Sequence, residues 1–196
     1  MRDYLANEVR NIVLMGHSGA GKSSVVEAAL YFTQATDRLG KTIDGTSVMD
    51  NDAEEIKRGL SVYTSIAPVE WKECKINFID TPGYLDYEGE AQCGIAVGDN
   101  ALIVVGAKDG VESGTEKAWK IVTRKKLPTI FFINKIDEEN ASFDQTYNQL
   151  REHFGKTVIP FEVPIQRDGK VVGSVNILRK KAWYYDDRTT PKDVPD

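Results

Sequence analysis

NIVLMGHSGAGKSSVVEAAL, residues 11–30, changes character twice in twenty positions. An apolar run of strand length passes into a glycine-rich loop, and the loop opens directly into a helical pattern. The loop itself, Gly16-His17-Ser18-Gly19-Ala20-Gly21-Lys22-Ser23, fits the phosphate-loop pattern G-x-x-x-x-G-K-[ST]. Glycines let successive backbone N–H groups turn toward one anion, and the helix N-terminus adds its dipole. In such a loop Lys22 reaches the β- and γ-phosphates and the Ser23 hydroxyl faces Mg²⁺. Ser18, Gly19, Ala20, Gly21 and Ser24 complete the expected cradle. A chance Gly-rich turn would not need a buried strand before it and a helix after it; this loop has both.

Working outward, the same alternation continues. KINFID (75–80), ALIVVGA (101–107) and TIFFIN (129–134) read as buried strands rich in Ile, Val and Phe. Between the last two, Val111, Thr115, Ala118, Trp119 and Val122 fall on one helical face. A further helix carries Phe143, Tyr147, Leu150 and Phe154 in register and stops at Gly155. Near-continuous apolar strands alternating with helices predict an α/β fold of the P-loop NTPase type, a mostly parallel sheet with helices on both faces. From about Pro160 the helical period is lost. The short β-type runs there, with a turn at Arg167-Asp168-Gly169, predict a hairpin or a small β-rich appendage.

Composition excludes several classes. The 196 residues hold 30 acidic and 25 basic side chains, a net charge of −5, which argues against a surface that coats nucleic acid or reads DNA. Cys74 and Cys93 match neither a metal spacing nor a disulfide framework. MRDYLANEVR lacks the apolar centre of a signal peptide, and the longest apolar run, at 101–107, is too short to span a bilayer. A cytoplasmic protein without a membrane partner is the expectation.

NKID, Asn134 to Asp137, stands just past the run TIFFIN, and ligands of open α/β sheets bind beside the carboxyl ends of strands. A fixed carboxylate there accepts both N–H donors of the guanine Watson–Crick edge. Adenine offers an acceptor instead and leaves the carboxylate unpaired. Asp137 is therefore the expected base reader, with Asn134 and Lys135 shaping the pocket, and the nucleotide is GTP or GDP. An ATP-dependent kinase is disfavoured on the same ground. FIDTPGYLDY (78–87) then acquires a meaning beyond its Pro-Gly turn. Asp80 ends a buried strand, where a carboxylate can hold a Mg²⁺-bound water. The Gly83 N–H can meet a γ-phosphate where a side chain would intrude, a contact that exists only with the triphosphate.

The set GHSGAGKSS, RGLS, DTPG and NKID, in this order, resembles the translational GTPases, and within them the elongation factor G group. MDNDAEEIKRGLSVYTSIAPVEW is similar to that group's first switch and following strand, and VPIQRDGKVVGSVNILRKKAWYYDD to the start of its inserted subdomain. The resemblance implies a Mg²⁺·GTP-binding domain over residues 1–158, lacking its last strand and helix, and the beginning of the insertion over 159–196. It implies GTP hydrolysis stimulated by the ribosome, with Ser61 of RGLS in the place of the family's Mg²⁺-ligating Thr. Lys22 and Gly83 are the expected catalytic groups beside Tyr84.

Three positions depart from the family pattern. Tyr84 stands where the family has the His that positions the attacking water; a phenol can orient water or simply pack, and both readings stand. Gly19 replaces an Asp implied in binding a monovalent cation. The family's later Ser-Ala guanine loop is missing, since Ala141-Ser142 follows Asp137 too soon. Two functions remain at this point: a ribosome-stimulated GTPase, and a GTP-binding regulatory switch with weak or no hydrolysis.

Overall fold

The computed structural model describes residues 2–42, 44–50, 52–186 and 192–194. The chain divides into two compact units, residues 1–105 with 112–134, and 106–111 with 135–196.

The first unit is built on strands β1 (Val9–Met15), β2 (Ser65–Trp71), β3 (Cys74–Asp80), β4 (Asn100–Gly106) and β5 (Thr129–Asn134). They form one sheet in the order β2-β3-β1-β4-β5. β1 pairs in parallel with β3 and with β4, while β2 folds back antiparallel on β3 through a turn at Lys72 and Glu73. The near-continuous apolar reading has its cause here. Val13, Leu14, Ile103 and Val104 are all fully buried although neighbours along a strand point to opposite faces. Helix α1 (Lys22–Phe32) packs against β2 and β3, with Val26 and Leu30 joining Leu14, Val69 and Val104 in the core.

Helix α2 (Ala53–Arg58) was not read from the sequence, although its capping signal is present. Asp52 accepts from the Glu54 N–H at its start, Glu55 reaches back to the Asp52 N–H, and Gly59 ends it in the left-handed region. Six residues are too few for a helical period to show. Helix α3 (Glu88–Val97) packs against β1, and α4 (Ser113–Lys125) carries Thr115, Ala118 and Val122 inward as its period predicts. Trp119 of the same expected face stacks on Phe131, their centroids 5.3 Å apart.

In the second unit α5 (Phe143–Phe154) is capped by the Ser142 side chain and ends at Gly155. Its buried residues are Thr146 and Leu150, with Thr146 donating to the Ala107 carbonyl at 3.0 Å. Phe143 and Tyr147 of the expected face stack on each other, 6.2 Å between centroids. β6 (Glu162–Arg167), β7 (Lys170–Asn176), β8 (Lys181–Tyr184) and β9 (Lys192–Asp193) make a four-stranded antiparallel sheet. The β6–β7 turn places Asp168 and Gly169 at φ 50° and 72°, the backbone that tight hairpins favour. Both cysteines are free, and among the described residues no helix is long and apolar enough to cross a membrane.

Candidate nucleotide-binding site

The phosphate loop leaves the end of β1 through Gly16, whose φ is +134°. A Cβ there would lie 2.3 Å from the Val104 carbonyl oxygen, so the loop presses on the neighbouring strand and only glycine fits. Gly21, also in the left-handed region, hands the chain to α1, whose first N–H groups face the loop. Lys22 is buried, and its ammonium donates to the His17 carbonyl at 3.1 Å and the Gly16 carbonyl at 3.4 Å. Burial lowers its pKa from the ordinary lysine value, while the carboxylates of Asp80 and Asp50 pull it back up. His17 braces the loop from outside: its Nδ1 accepts from the Gly114 N–H at 3.3 Å, and its Nε2 lies 3.4 Å from Glu112. Ala20 is buried, Ser18 half-buried, and Gly19 and Ser24 are exposed.

A chain of oxygen groups lies beside Lys22. The Ser23 hydroxyl donates to Asp80 Oδ2 at 2.6 Å and sits 3.3 Å from the Ser61 hydroxyl. Ser61 donates to Asp50 Oδ1 at 2.7 Å, and Thr42 donates to Asp50 Oδ2 at 3.1 Å. Asp80 Oδ1 is buried without a hydrogen-bond partner among the described residues. Hydroxyls and carboxylates with one oxygen unpaired suit a hard divalent cation such as Mg²⁺, which takes oxygen ligands and keeps water in its shell. Neither His nor Cys takes part in this chain of oxygen groups, and oxygen donors of this kind suit hard cations. Asp50 was missed in the sequence. It follows Met49 in a run without periodicity, and no motif rule marks it.

Burial pushes the Asp80 carboxyl up to about 6, against the opposing pull of Lys22 and the Ser23 hydrogen bond. The folded state therefore holds the Asp80 proton more tightly than the unfolded chain does. Its contribution to stability is complete below pH 3.8 and is lost as pH rises to about 6. The difference is about 3 kcal/mol at most. Asp80→Asn, still able to accept from Ser23, is expected to stabilise the nucleotide-free chain by about 1–3 kcal/mol at pH 7.5. The gain should vanish near pH 4 in paired urea titrations of the two proteins. An equal difference at both pH values would refute the assignment.

The DTPG turn is anchored at its second residue, the buried Thr81, whose hydroxyl donates to the Leu14 carbonyl at 2.6 Å. Gly83 then comes against the phosphate loop. A Cβ on it would lie 2.4 Å from Lys22 Nζ and 2.7 Å from the Ser18 nitrogen. Tyr84 follows with 46 % of its surface exposed. On the other side of the loop Asn134, ending β5, donates from its side chain to the Ala20 carbonyl at 3.0 Å. In the second unit Lys135, with φ 59°, pairs with Glu138 at 3.3 Å, and Asp137 is exposed in the same turn. The structure thus gathers Lys22, Ser23, Ser61, Asp80, Gly83 and Asn134 around the loop, and adds Asp50.

Three kinds of comparison bear on the family of this chain. The family model described as the elongation factor Tu GTP binding domain matches residues 7–190. Elongation factor G of Mycoplasma pneumoniae is 32% identical over 191 residues, covering 95% of this chain and 28% of that protein. Elongation factor G of Chlamydia caviae is 34% identical over 188 residues, covering 96% of this chain and 27% of that one. A crystal structure of a protein from Thermus thermophilus superposes with a TM-score of 0.89 at 32% identity, over 96% of this chain and 28% of that chain. The chain therefore spans little more than a quarter of the length of these relatives. With its phosphate loop, its DTPG turn and a family match over nearly its whole length, this chain belongs to the family of elongation factor Tu GTP binding domains, of the elongation factor G-like kind.

Proposed function

We propose that this domain binds Mg²⁺·GTP and supports its hydrolysis, within a cytoplasmic translation factor that works on the ribosome and is stimulated by it. One observation carries the reading furthest. Asp80 and Gly83, three residues apart in one turn, reach Ser23 and Lys22, adjacent residues of the phosphate loop. A turn so placed senses both the cation and the terminal phosphate.

Lys22 and the loop N–H groups hold the phosphate oxygens and take up charge as it shifts toward the β–γ bridge. Mg²⁺, held by the hydroxyls of Ser23 and Ser61 and by Asp80 through a water, would add charge neutralisation when bound. The Gly83 N–H donates to the γ-phosphate. A water oxygen bonds to the γ-phosphorus as the bond to the bridging oxygen breaks, giving GDP and inorganic phosphate, and its proton leaves to solvent or phosphate. Tyr84, exposed beside Gly83, is the side chain from this turn available to orient that water. Asn134 stiffens the loop from the side where the base would lie, and Asp137, three residues on, accepts the two guanine N–H donors. Residues 159–196 begin a β-rich inserted subdomain that follows the nucleotide domain of residues 1–158.

Asp137→Asn tests the base assignment. A carboxamide offers one acceptor and one donor, so it mismatches guanine and matches the N–H and carbonyl of xanthine. The variant should bind GTP about 100-fold more weakly and gain affinity for xanthosine triphosphate, read by calorimetry. Unchanged guanine selectivity would remove Asp137 from the base pocket.

A further inference from the structure

Ser23 and Glu27 stand four residues apart on α1 and so lie one above the other on the same helix face. The upper member belongs to the phosphate site. The lower one belongs to nothing described so far. Glu27 is 1 % exposed, among the most deeply buried side chains of the chain, and it is a carboxylate. Its Oε2 is buried without a hydrogen-bond partner among the described residues, so the other oxygen is what ties the group to its surroundings. Its Oε1 accepts the Ser47 hydroxyl at 2.8 Å, the Val48 N–H at 2.5 Å and the Met49 N–H at 3.2 Å. Ser47 in turn accepts from the N–H groups of Met49 and Asp50. The segment 47–50 is irregular backbone, and its donors have no ladder to enter. Glu27 gathers them.

The approach is too close to be incidental. A Cβ on Gly40 would lie 2.4 Å from Glu27 Oε2 and 2.8 Å from the Thr46 carbonyl, so the irregular backbone at Gly40 is fitted against the carboxylate. The next residue after the latched donors is Asp50, whose two oxygens hold Ser61 and Thr42. Ser61 then meets Ser23. The path closes on itself: α1 offers Ser23 to the site directly, and one turn further along it offers Glu27, which fixes the segment that returns Asp50 and Ser61 to Ser23.

We propose that Glu27 is a positioning residue of the nucleotide site, a buried latch that ties segment 47–49 to the phosphate helix and thereby sets Asp50 and Ser61 against Ser23 and Asp80. The role in nucleotide binding rests on the function proposed above; the latch itself does not. Glu27 touches no phosphate, so its loss leaves the diphosphate's contacts with the loop in place. What it removes is the register of Ser61, which matters when cation and triphosphate are bound together.

Hydrogen exchange by NMR on the nucleotide-free chain tests the latch, comparing wild type with Glu27→Ala and Glu27→Gln. In Glu27→Ala the amides of Val48 and Met49 should exchange about 10- to 100-fold faster, with those of Val26 and Leu30 in α1 unchanged. Glu27→Gln keeps one acceptor oxygen and should recover most of the protection. Calorimetry then reads the consequence: in Mg²⁺ buffer Glu27→Ala should lose about tenfold in affinity for a non-hydrolysable GTP analogue and stay within about threefold of wild type for GDP. Unchanged exchange at Val48 and Met49 would overturn the proposal. So would acceleration spread equally over α1, or affinities for analogue and GDP that fall in step. If the wild-type chain bound neither nucleotide, the functional reading would fail, and the exchange data would still decide the latch.

Discussion

Replacing Lys22 with methionine should weaken binding of both GTP and GDP by about 100- to 1,000-fold while leaving the fold intact or firmer. The two halves of this expectation have one origin. The Lys22 ammonium is buried and held by the carbonyls of Gly16 and His17. Burial has already lowered its pKa, a sign that the charge is held there at a cost. Methionine fills nearly the same space without that charge, a replacement that buried sites tolerate. What it cannot supply is charge-assisted donation to phosphate oxygens, worth about 1.5–3 kcal/mol for each bond. At about 1.4 kcal/mol per tenfold, two such bonds give the stated loss. Titration calorimetry and urea unfolding on the same preparation read the two halves. A variant that unfolds more easily yet binds as well as wild type would make Lys22 a structural residue only.

Gly83→Ala should separate the nucleotides instead. Its φ lies outside the left-handed region, so alanine's backbone preferences are not the obstacle. The obstacle is room. The added Cβ would lie 2.4 Å from Lys22 Nζ, 2.7 Å from the Ser18 nitrogen and 2.9 Å from its Cα. The lysine end can move; the Ser18 backbone belongs to the cradle and cannot move without opening it. The turn must therefore retreat from the loop, carrying the Gly83 N–H and Tyr84 with it. We expect phosphate release in single-turnover assays to fall by about 100-fold or more, as for loss of one donor at a developing charge. GDP affinity should change by less than about tenfold, because that contact serves the γ-phosphate. Equal losses for GDP binding and hydrolysis would show that the substitution had damaged the cradle itself.

How far the sequence carried these conclusions differs from one element to the next. Strands β1, β3, β4 and β5 were legible because burial on both faces forces unbroken apolar runs, and a phosphate loop is defined by local backbone needs that fix residue types at fixed spacing. The hairpin at Asp168-Gly169 was legible for the same reason: the turn demands those residues. The packing of residues 44–50 and 52–64 was not, although RGLS marked Ser61. It comes from Glu27, Asp50 and Glu55, three buried carboxylates that collect backbone and hydroxyl donors from beyond the reach of a helical or strand period, 7 to 21 positions away. Such a residue looks in sequence like any solvated acid on a helix or loop. The i, i+4 relation of Ser23 and Glu27 was visible, but only the fold says that both face inward. On α5 the expected face is kept: Leu150 is buried, Phe143 and Tyr147 stack on each other half-buried, and Thr146, outside that expected set, joins them with its hydroxyl on Ala107.

The measurement closest to the central claim is calorimetric titration of this chain with GTP, GDP and ATP in Mg²⁺ buffer. The account predicts binding of GTP and GDP with ATP at least about 100-fold weaker, since adenine would leave the Asp137 carboxylate unpaired. ATP binding as tight as GTP would contradict it.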